Sequence, residues 1–289
     1  QKNKGMIYMI IEKMKIINML ESSYPQNLKR IKNPPTKLYA EGDTELLNKN
    51  SLAIVGTRKP TEYGKKVAFN FAKGLSGEGI CIVSGLADGI DSYAHWGAKS
   101  GKGKTIAVLG CGFNNVYPEH NLKLYQEILE EGGCVISEYE PDETYMPEYF
   151  PTRNRIISGL ALGVLVVEGR YRSGSGITAR LAMEQKKEVF CIPSDINKKT
   201  GVVPNEYIKN GAHLVTDIED ILEYFPEQRK NVEISAEYLE IYKYMSKIPI
   251  SVDEICRLTN LSVASVNERL MLMEIEGLIK NVAGGYVVV

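Results

Sequence analysis

The chain has 289 residues, of which 44% are hydrophobic and 25% are charged, a balance that is typical of a soluble globular protein and excludes disordered and low-complexity classes. Its 35 basic and 36 acidic residues give a formal charge of −1, so any site for a polyanion must be a local concentration of cations. Five cysteines without a C-x-x-C pair indicate reduced thiols and a cytoplasmic protein.

Residues 1–50 predict a short helix followed by an irregular lead-in. Apolar residues within Met6–Leu20 recur at spacings of three and four, which predicts one face of an amphipathic helix. The segment is too short to span a bilayer and contains three charges, so neither a membrane helix nor a signal peptide is expected. The following segment, Tyr24–Gly42, is rich in proline and polar residues, which is typical of an irregular connection.

Residues 51–226 alternate short apolar runs with longer amphipathic stretches. Because the runs lack polar alternation, they predict strands buried on both faces, with the intervening helices as covering layers. The pattern predicts an α/β fold with a Rossmann-like, doubly wound, mostly parallel sheet. The predicted strands are Leu52–Val55, Ile80–Val83, Thr105–Leu109, Cys134–Ile136, Val164–Val167, Val189–Ile192 and His213–Val215.

The C-terminal part of the chain has a different rhythm. Residues 227–233 have the composition of a linker, and residues 234–289 predict three amphipathic helices and a terminal hairpin. Ser251 and Ser262 stand where helix N-caps are expected. This combination predicts a small winged helix-turn-helix domain. The predicted helices are Ser235–Met245, Ser251–Leu258 and Ser262–Glu276, and the hairpin turns at Gly284-Gly285.

Common enzyme signatures are absent from the sequence. It contains no G-x-x-x-x-G-K-[ST], and no G-x-G-x-x-G after the first predicted strand, which argues against nucleotide hydrolysis and dinucleotide chemistry. The three histidines are dispersed without metal-ligand spacing, and no G-x-S-x-G starts a hydrolase triad. We therefore expect no catalytic residue, no metal and no cofactor.

Glycine, serine and arginine are concentrated where the predicted strands end, the edge at which open α/β sheets bind ligands. The loops Ser84-Gly85 and Ser173–Gly176 each precede a predicted helix, whose first N–H groups attract anions. Ordinary helix capping is the alternative for each loop alone. Arg58, Arg153 and Arg155 carry the guanidinium groups that suit phosphate oxygens, and the sequence predicts that they converge on one surface.

Aromatic residues lie close to these arginines in the sequence. Phe150 and Tyr171 are examples, and such rings beside cations suit single-stranded nucleic acid, although core packing is an equally open interpretation. Asp91 and His95 stand four residues apart at a helix start. An acid–base pair is conceivable there, but an N-cap aspartate and a hydrogen-bonded structural histidine are favoured.

A family resemblance is carried by five segments between about Tyr24 and Phe225. They are YPQNLKRIKNPPTKLYAEG, SLAIVGTRKPTEYG, IVSGLADGIDSYAH, FPTRNRIISGL and VVEGRYRSGSGITARLA. In this order they resemble the DNA-processing protein A (DprA/Smf) family. The resemblance implies a homodimeric, non-enzymatic protein that binds and protects incoming single-stranded DNA and loads the RecA recombinase during natural transformation. The DNA contacts that it implies are Gly56, Arg58, Ser84, Gly85, Arg153, Asn154, Arg155, Ser173, Gly174, Ser175 and Thr178.

The chain departs from the family pattern in two places. Gly176 stands where family members commonly have leucine, so the loop is expected to lose a side-chain anchor. Family members often have a further N-terminal helical domain, which is expected to be reduced or cut away here.

Two other functions stay open at this stage. The first is a LOG-type nucleoside monophosphate phosphoribohydrolase, whose P-G-G-x-G-T-x-x-E signature is incomplete here because Glu184 follows Thr178 by six residues. The second is a winged-helix transcription regulator with a ligand-sensing domain. The third C-terminal helix has Arg269 among several glutamates, a poor match for phosphates, so a protein-contact or regulatory role is favoured for that domain.

Overall fold

The computed structural model describes residues 14–225, 235–246 and 248–288. They form two compact units, divided near residue 230. The first unit is built on one sheet with strands β1 (Lys15–Asn18), β2 (Lys37–Gly42), β3 (Ser51–Val55), β4 (Cys81–Ser84), β5 (Thr105–Val108), β6 (Cys134–Ser137), β7 (Gly163–Val166), β8 (Glu188–Cys191) and β9 (His213–Leu214).

The strand order is β1-β2-β6-β5-β4-β3-β7-β8-β9. The pairs β1–β2 and β2–β6 are antiparallel, and the other pairs are parallel. The order reverses direction at β3, which has β4 on one side and β7 on the other. The prediction of a mostly parallel, doubly wound sheet is confirmed, and its topological switch point lies at β3.

Helices cover both faces of this sheet. They are α1 (Gln26–Lys29), α2 (Glu62–Gly77), α3 (Ile90–Ala98), α4 (Leu122–Glu130), α5 (Tyr149–Leu160), α6 (Gly174–Glu184), α7 (Val202–Lys209) and α8 (Glu219–Leu222). Within β3, Leu52 and Ile54 pack with residues of α2 and α3, whereas Ala53 and Val55 pack with residues of α5 and α6. Both alternating sets are buried, which explains why the strand is apolar throughout.

The N-terminal region differs from its prediction. Residues 15–18, within the predicted helix Met6–Leu20, form β1, and residues 6–13 of that prediction lie outside the described residues. The lead-in predicted to be irregular contains β2, which pairs with β6. Leu38 and Ala40 are fully buried in the core, so pairing with the sheet overrides the local polar composition. The predicted boundary at residue 50 therefore falls within one sheet.

No helix in the described ranges of the chain is long and apolar enough to cross a membrane. The cysteines are free thiols, and all but Cys256 are buried. The buried cysteines act as small apolar side chains of the core.

The second unit has the predicted winged-helix elements. Ser251 and Ser262 cap the second and third helices of this unit by accepting hydrogen bonds from the amides of Glu254 and Ser265, as predicted. The hairpin turns at Ala283-Gly284, one residue earlier than predicted, because Gly285 already pairs with Val282. The elements are α9 (Ala236–Tyr242), α10 (Val252–Thr259), α11 (Val263–Ile275), β10 (Ile279–Val282) and β11 (Gly285–Val288).

Candidate functional site

A cleft of about 670 Å³ opens at the carboxyl ends of the strands, at the switch point of the sheet. The exits of β3 and β7 form two of its walls. The first turns of α5 and α6 and parts of the loops that follow β4, β5 and β6 complete it. These segments are far apart in the sequence but adjacent in space because the parallel strands end at one edge.

Three exposed arginines surround the cleft: Arg58, Arg170 and Arg172. The guanidinium carbon of Arg58 lies 5.4 Å from the ring centroid of Phe150, in cation–π geometry. In the described part of the chain, the arginines with ion pairs are Arg155, Arg180 and Arg269, and none of these three lines the cleft. The rim cations are therefore available to an anionic ligand.

Three aromatic rings form a cluster in the wall of the cleft. The ring centroid of Tyr117 lies 4.1 Å from that of Tyr145 and 5.6 Å from that of Phe150. Tyr117 and Tyr145 are exposed, and Phe150 is half-buried. We call these rings, together with the three arginines above, the rim of the cleft.

The start of α6 contributes a short polar loop. Ser173 is the N-cap, and its Oγ accepts from the amide of Gly176 at 3.5 Å and lies 2.8 Å from Oγ of Ser175. Thr178 is buried and donates to the carbonyl of Gly174 at 3.2 Å. No acidic residue stands in this first turn, so the helix N-terminus presents N–H groups and a positive dipole end to the cleft.

Below the rim, Arg153 is buried and holds the loops together. Its Nη1 donates to the carbonyl oxygens of Gly85 and Val108, which follow or end neighbouring strands. Oδ2 of Asp91 accepts from the amide of Gly85 at 3.1 Å. Burial lowers the pKa of Arg153 and raises the pKa of Asp91, and the opposite charge of each offsets part of the other's shift.

His95 extends this buried network. Its Nε2 accepts from the amide of Leu86 at 3.3 Å, so the proton is assigned to Nδ1, which donates to Oγ1 of Thr105 at 2.8 Å. Oγ1 of Thr105 in turn donates to the carbonyl of Ile82. Burial lowers the pKa of His95 to about 3, so the ring is neutral. The structural role favoured for His95 is confirmed. We call Arg153, Asp91, Gly85, His95 and Thr105 the floor of the cleft.

Asp91 is not the N-cap of α3, a position that Gly89 takes. It instead lies in the first turn, with its carboxylate turned onto Gly85. A Cβ at Gly85 would come within 2.8 Å of both the Asp91 carboxylate and the Arg153 guanidinium. The glycine is therefore required by the close approach of two charged groups.

Not every residue implied as a DNA contact reaches the cleft. Arg155 forms a two-pronged ion pair with Glu138, and its Nε donates to the carbonyl of Asn33 at 3.1 Å. Ser84 is fully buried and donates to the carbonyl of Ile54 at 2.7 Å. The structure does not bring Arg58, Arg153 and Arg155 to one cationic surface, because two of the three guanidinium groups satisfy internal acceptors.

Gly85 lies beneath the cleft without lining it. The other implied contacts do line the cleft: Gly56, Arg58, Arg153, Asn154, Ser173, Gly174, Ser175 and Thr178. Gly56 follows β3, and a Cβ there would lie 2.4 Å from Ile90, so only glycine fits. Asn154 joins α5 to α6, since its Nδ2 donates to the carbonyl of Gly174 at 3.3 Å and its Oδ1 accepts from Nε of Arg153 at 3.3 Å. Gly176 lies in the first helical turn, where a Cβ would make ordinary contacts with Val203 at 3.6 Å.

Tyr117 and Tyr145 were not predicted as site residues from the sequence. Both follow predicted strands, as do the glycine-rich loops, so their position in the sequence carried the same signal. Nothing local distinguished them from tyrosines that pack in the core, and only the fold shows that their rings lie beside Phe150.

The geometry gives little support to a phosphoribohydrolase. Glu184 ends α6, and helical rise places it about 14 Å from Ser175, at the opposite end of the helix from the cleft. Oε1 of Glu184 lies 3.7 Å from Nε of Arg180. Within the described ranges, no group of three histidine, cysteine or acidic residues is arranged to hold a metal ion.

Comparison with known proteins gives consistent matches in both units. Residues 15–226 match the family described as DNA recombination-mediator protein A, and residues 225–285 match the DprA winged helix domain. The chain is 38% identical to protein Smf of Escherichia coli over 91% of this chain and 74% of that protein. It is 43% identical to DNA processing protein DprA of Bacillus subtilis over 73% of this chain and 71% of that protein.

Two solved structures are similar to about three quarters of the chain. DNA processing protein A of Streptococcus pneumoniae superposes with a TM-score of 0.70 and 39% identity, covering 76% of this chain and 77% of that chain. DNA processing protein A of Helicobacter pylori, whose structure is described for its single-stranded DNA binding mode, gives a TM-score of 0.68 and 33% identity, covering 75% of this chain and 98% of that chain.

Proposed function

This chain belongs to the DNA-processing protein A (DprA/Smf) family, and from that premise we propose that it binds single-stranded DNA in the cleft at the carboxyl ends of the strands. Binding is the whole activity, with no catalytic step. The observation that carries the proposal is the Arg58 guanidinium, which lies against Phe150 at the cleft without a carboxylate partner among the described residues.

The rim supplies the groups that a sugar–phosphate backbone needs. Arg58, Arg170 and Arg172 neutralise phosphates, and the first N–H groups of α6 seat another. Each phosphate neutralised releases counterions, which gives a logarithmic salt slope of about −0.7 per contact for a single strand. Backbone contacts carry no base information, so binding tolerates any sequence.

The aromatic rings explain a preference for single strands. Bases stack on Tyr117, Tyr145 or Phe150 only when their faces are free, and in a duplex those faces are covered by neighbouring base pairs. The similar protein from Helicobacter pylori, described for its single-stranded DNA binding mode, supports this assignment.

Arg153, Asn154, Ser84 and Gly85 act beneath the ligand. Arg153 and Asn154 fix the carbonyl groups of Gly85 and Gly174, and thereby the loops that carry the rim. Arg155 links α5 to the lead-in, because its Nε donates to the carbonyl of Asn33, and it too positions the loops. We therefore divide the implied contacts into residues that contact DNA and residues that position the loops.

The family supports a proposal about the role in the cell. We propose that the protein, as a homodimer, protects incoming single-stranded DNA and loads the RecA recombinase onto it during natural transformation. Support comes from the recombination-mediator description of the family and from the DNA processing proteins at 41–43% identity. Sequence-independent binding suits this role, because incoming DNA has no fixed sequence.

The test is a fluorescence-anisotropy titration of a labelled oligothymidine with full-length protein, competed with unlabelled single-stranded or duplex DNA. Arg58→Ala is expected to weaken binding by about tenfold or more, since a charged hydrogen bond to phosphate is lost. Arg180→Ala, an exposed arginine outside the cleft, is the matched control. Equal affinity of wild type and Arg58→Ala, or duplex competing as well as single strand, would refute the site.

A further inference from the structure

The helix α11 of the winged-helix unit has two contrasting sides. Val266, Leu270 and Met273 are fully buried in the core of the unit. On the other side Met271 and Ile275 stand four residues apart and are 65% and 72% exposed. They continue a row of i, i+4 positions that begins at the 53%-exposed Val263 and passes through the exposed polar Asn267, so the apolar ridge on the outer side of the helix is formed by Met271 and Ile275.

Carboxylates flank this ridge. Glu268, Glu274 and Glu276 are exposed on the same helix or at its end. The cation of α11, Arg269, pairs with Glu240 on α9 at 3.2 Å. A phosphate approaching α11 would therefore meet carboxylates first, which is the reverse of what a duplex-reading helix offers.

The wing, which is the β10–β11 hairpin, is also poor in cations. Its turn, Ala283-Gly284, has no charged group, and the described hairpin has Lys280 as its cation. Neither the third helix nor the tip of the wing offers the cluster of lysine and arginine that holds a DNA backbone. The outer face of α11 is thus built for another kind of partner.

We propose that the outer face of α11 docks an amphipathic helix of a partner protein, with an apolar stripe flanked by lysine or arginine. A row of side chains four residues apart is the ridge that packs into the groove of a second helix. Charge complementarity identifies the flanks of that helix, since cations beside its apolar stripe would lie against Glu268 and Glu276. The carboxylates also repel anionic lipid surfaces, which leaves a basic protein helix as the occupant.

The probe is a labelled synthetic helix of about three heptads, with leucine at a and d and lysine at e and g, and a partner peptide with glutamate at e and g. Full-length protein is expected to bind the lysine peptide about tenfold more tightly than the glutamate peptide. Met271→Glu/Ile275→Glu should weaken binding by about tenfold. Ile196→Glu, at an 86%-exposed isoleucine in the other unit, should leave it unchanged.

Charge reversal gives the second measurement. Glu268→Lys should lower affinity for the lysine peptide and raise it for the glutamate peptide, which a merely structural effect on folding would not do. Circular dichroism of each variant verifies the fold. Equal binding of both peptides overturns the proposal. So does duplex DNA bound by the wild type and lost in Met271→Glu/Ile275→Glu, or a self-association in sedimentation that those changes abolish.

Discussion

The rim and the floor of the cleft use the same residue type in opposite ways. Arg58 on the rim is exposed and lies over Phe150, whereas Arg153 in the floor is buried and satisfies the carbonyls of Gly85 and Val108. One guanidinium is free to bind an external anion, and the other donates its hydrogen bonds to carbonyl groups of the protein itself. The difference shows that proximity of arginines in a motif does not make them equivalent ligand contacts.

The comparison predicts that floor substitutions lower stability and rim substitutions lower affinity. Arg153→Met is expected to lower the free energy of unfolding by about 3 kcal/mol, because Asp91 and two carbonyl groups lose their buried partner. Urea unfolding measures it. Arg180→Met, at an exposed arginine, should stay within about 0.5 kcal/mol of wild type. A loss of DNA affinity in Arg153→Met without loss of stability would place Arg153 with the rim.

The floor should also make stability depend on pH. The pKa of His95 is about 3 in the folded protein against an ordinary value of 6.5, so the unfolded chain binds a proton below pH 6.5 that the folded protein does not. Stability therefore falls as the pH decreases, by about 2 kcal/mol between pH 7 and pH 5 from this group. Urea unfolding at several pH values compares wild type with His95→Gln. Parallel slopes in the two proteins would contradict a neutral, buried histidine.

On the rim, Phe150→Ala should change the free energy of unfolding much less than the floor variants do. It should weaken oligothymidine binding by about 1 kcal/mol or more, about fivefold, because one stacking face is lost. Tyr63→Ala is the matched control, since Tyr63 is half-exposed and outside this cleft. Anisotropy at fixed salt measures both. If the two substitutions weakened binding equally, the aromatic cluster would have no special part in DNA binding.

The smallest effect on stability is expected for a substitution at the start of α6. Gly176→Ala should raise the free energy of unfolding by about 0.5 kcal/mol, because alanine restricts the unfolded chain and its Cβ finds ordinary contact distances near Val203. DNA affinity should not fall. Gly56→Ala is the contrasting variant, since its Cβ would clash with Ile90, and it should destabilise the protein. A destabilised Gly176→Ala would show that the loop needs glycine for its conformation.

The central parallel strands could be predicted because they are mostly apolar runs, which reflects burial on both faces. The edge strand β9 gave a weaker signal because it contains only His213 and Leu214, neither of which is fully buried. β2 could not be predicted, since Lys37, Glu41 and Gly42 break its pattern and its pairing with β6 depends on residues almost a hundred positions away. The position of the site at this edge of the sheet could be predicted, because loops rich in glycine, serine and arginine follow the predicted strands. The division between Arg58 and Arg153 did not, because burial of a long side chain is decided by neighbours such as Asp91 that no local pattern reveals.

β3 sits in the middle of the sheet, so the cleft is completed late in the synthesis of the chain. β3 is the first parallel strand to be made, yet its neighbour β7 follows more than 100 residues later, and α6 after that. A nascent chain that ends before β7 therefore has only one side of the cleft.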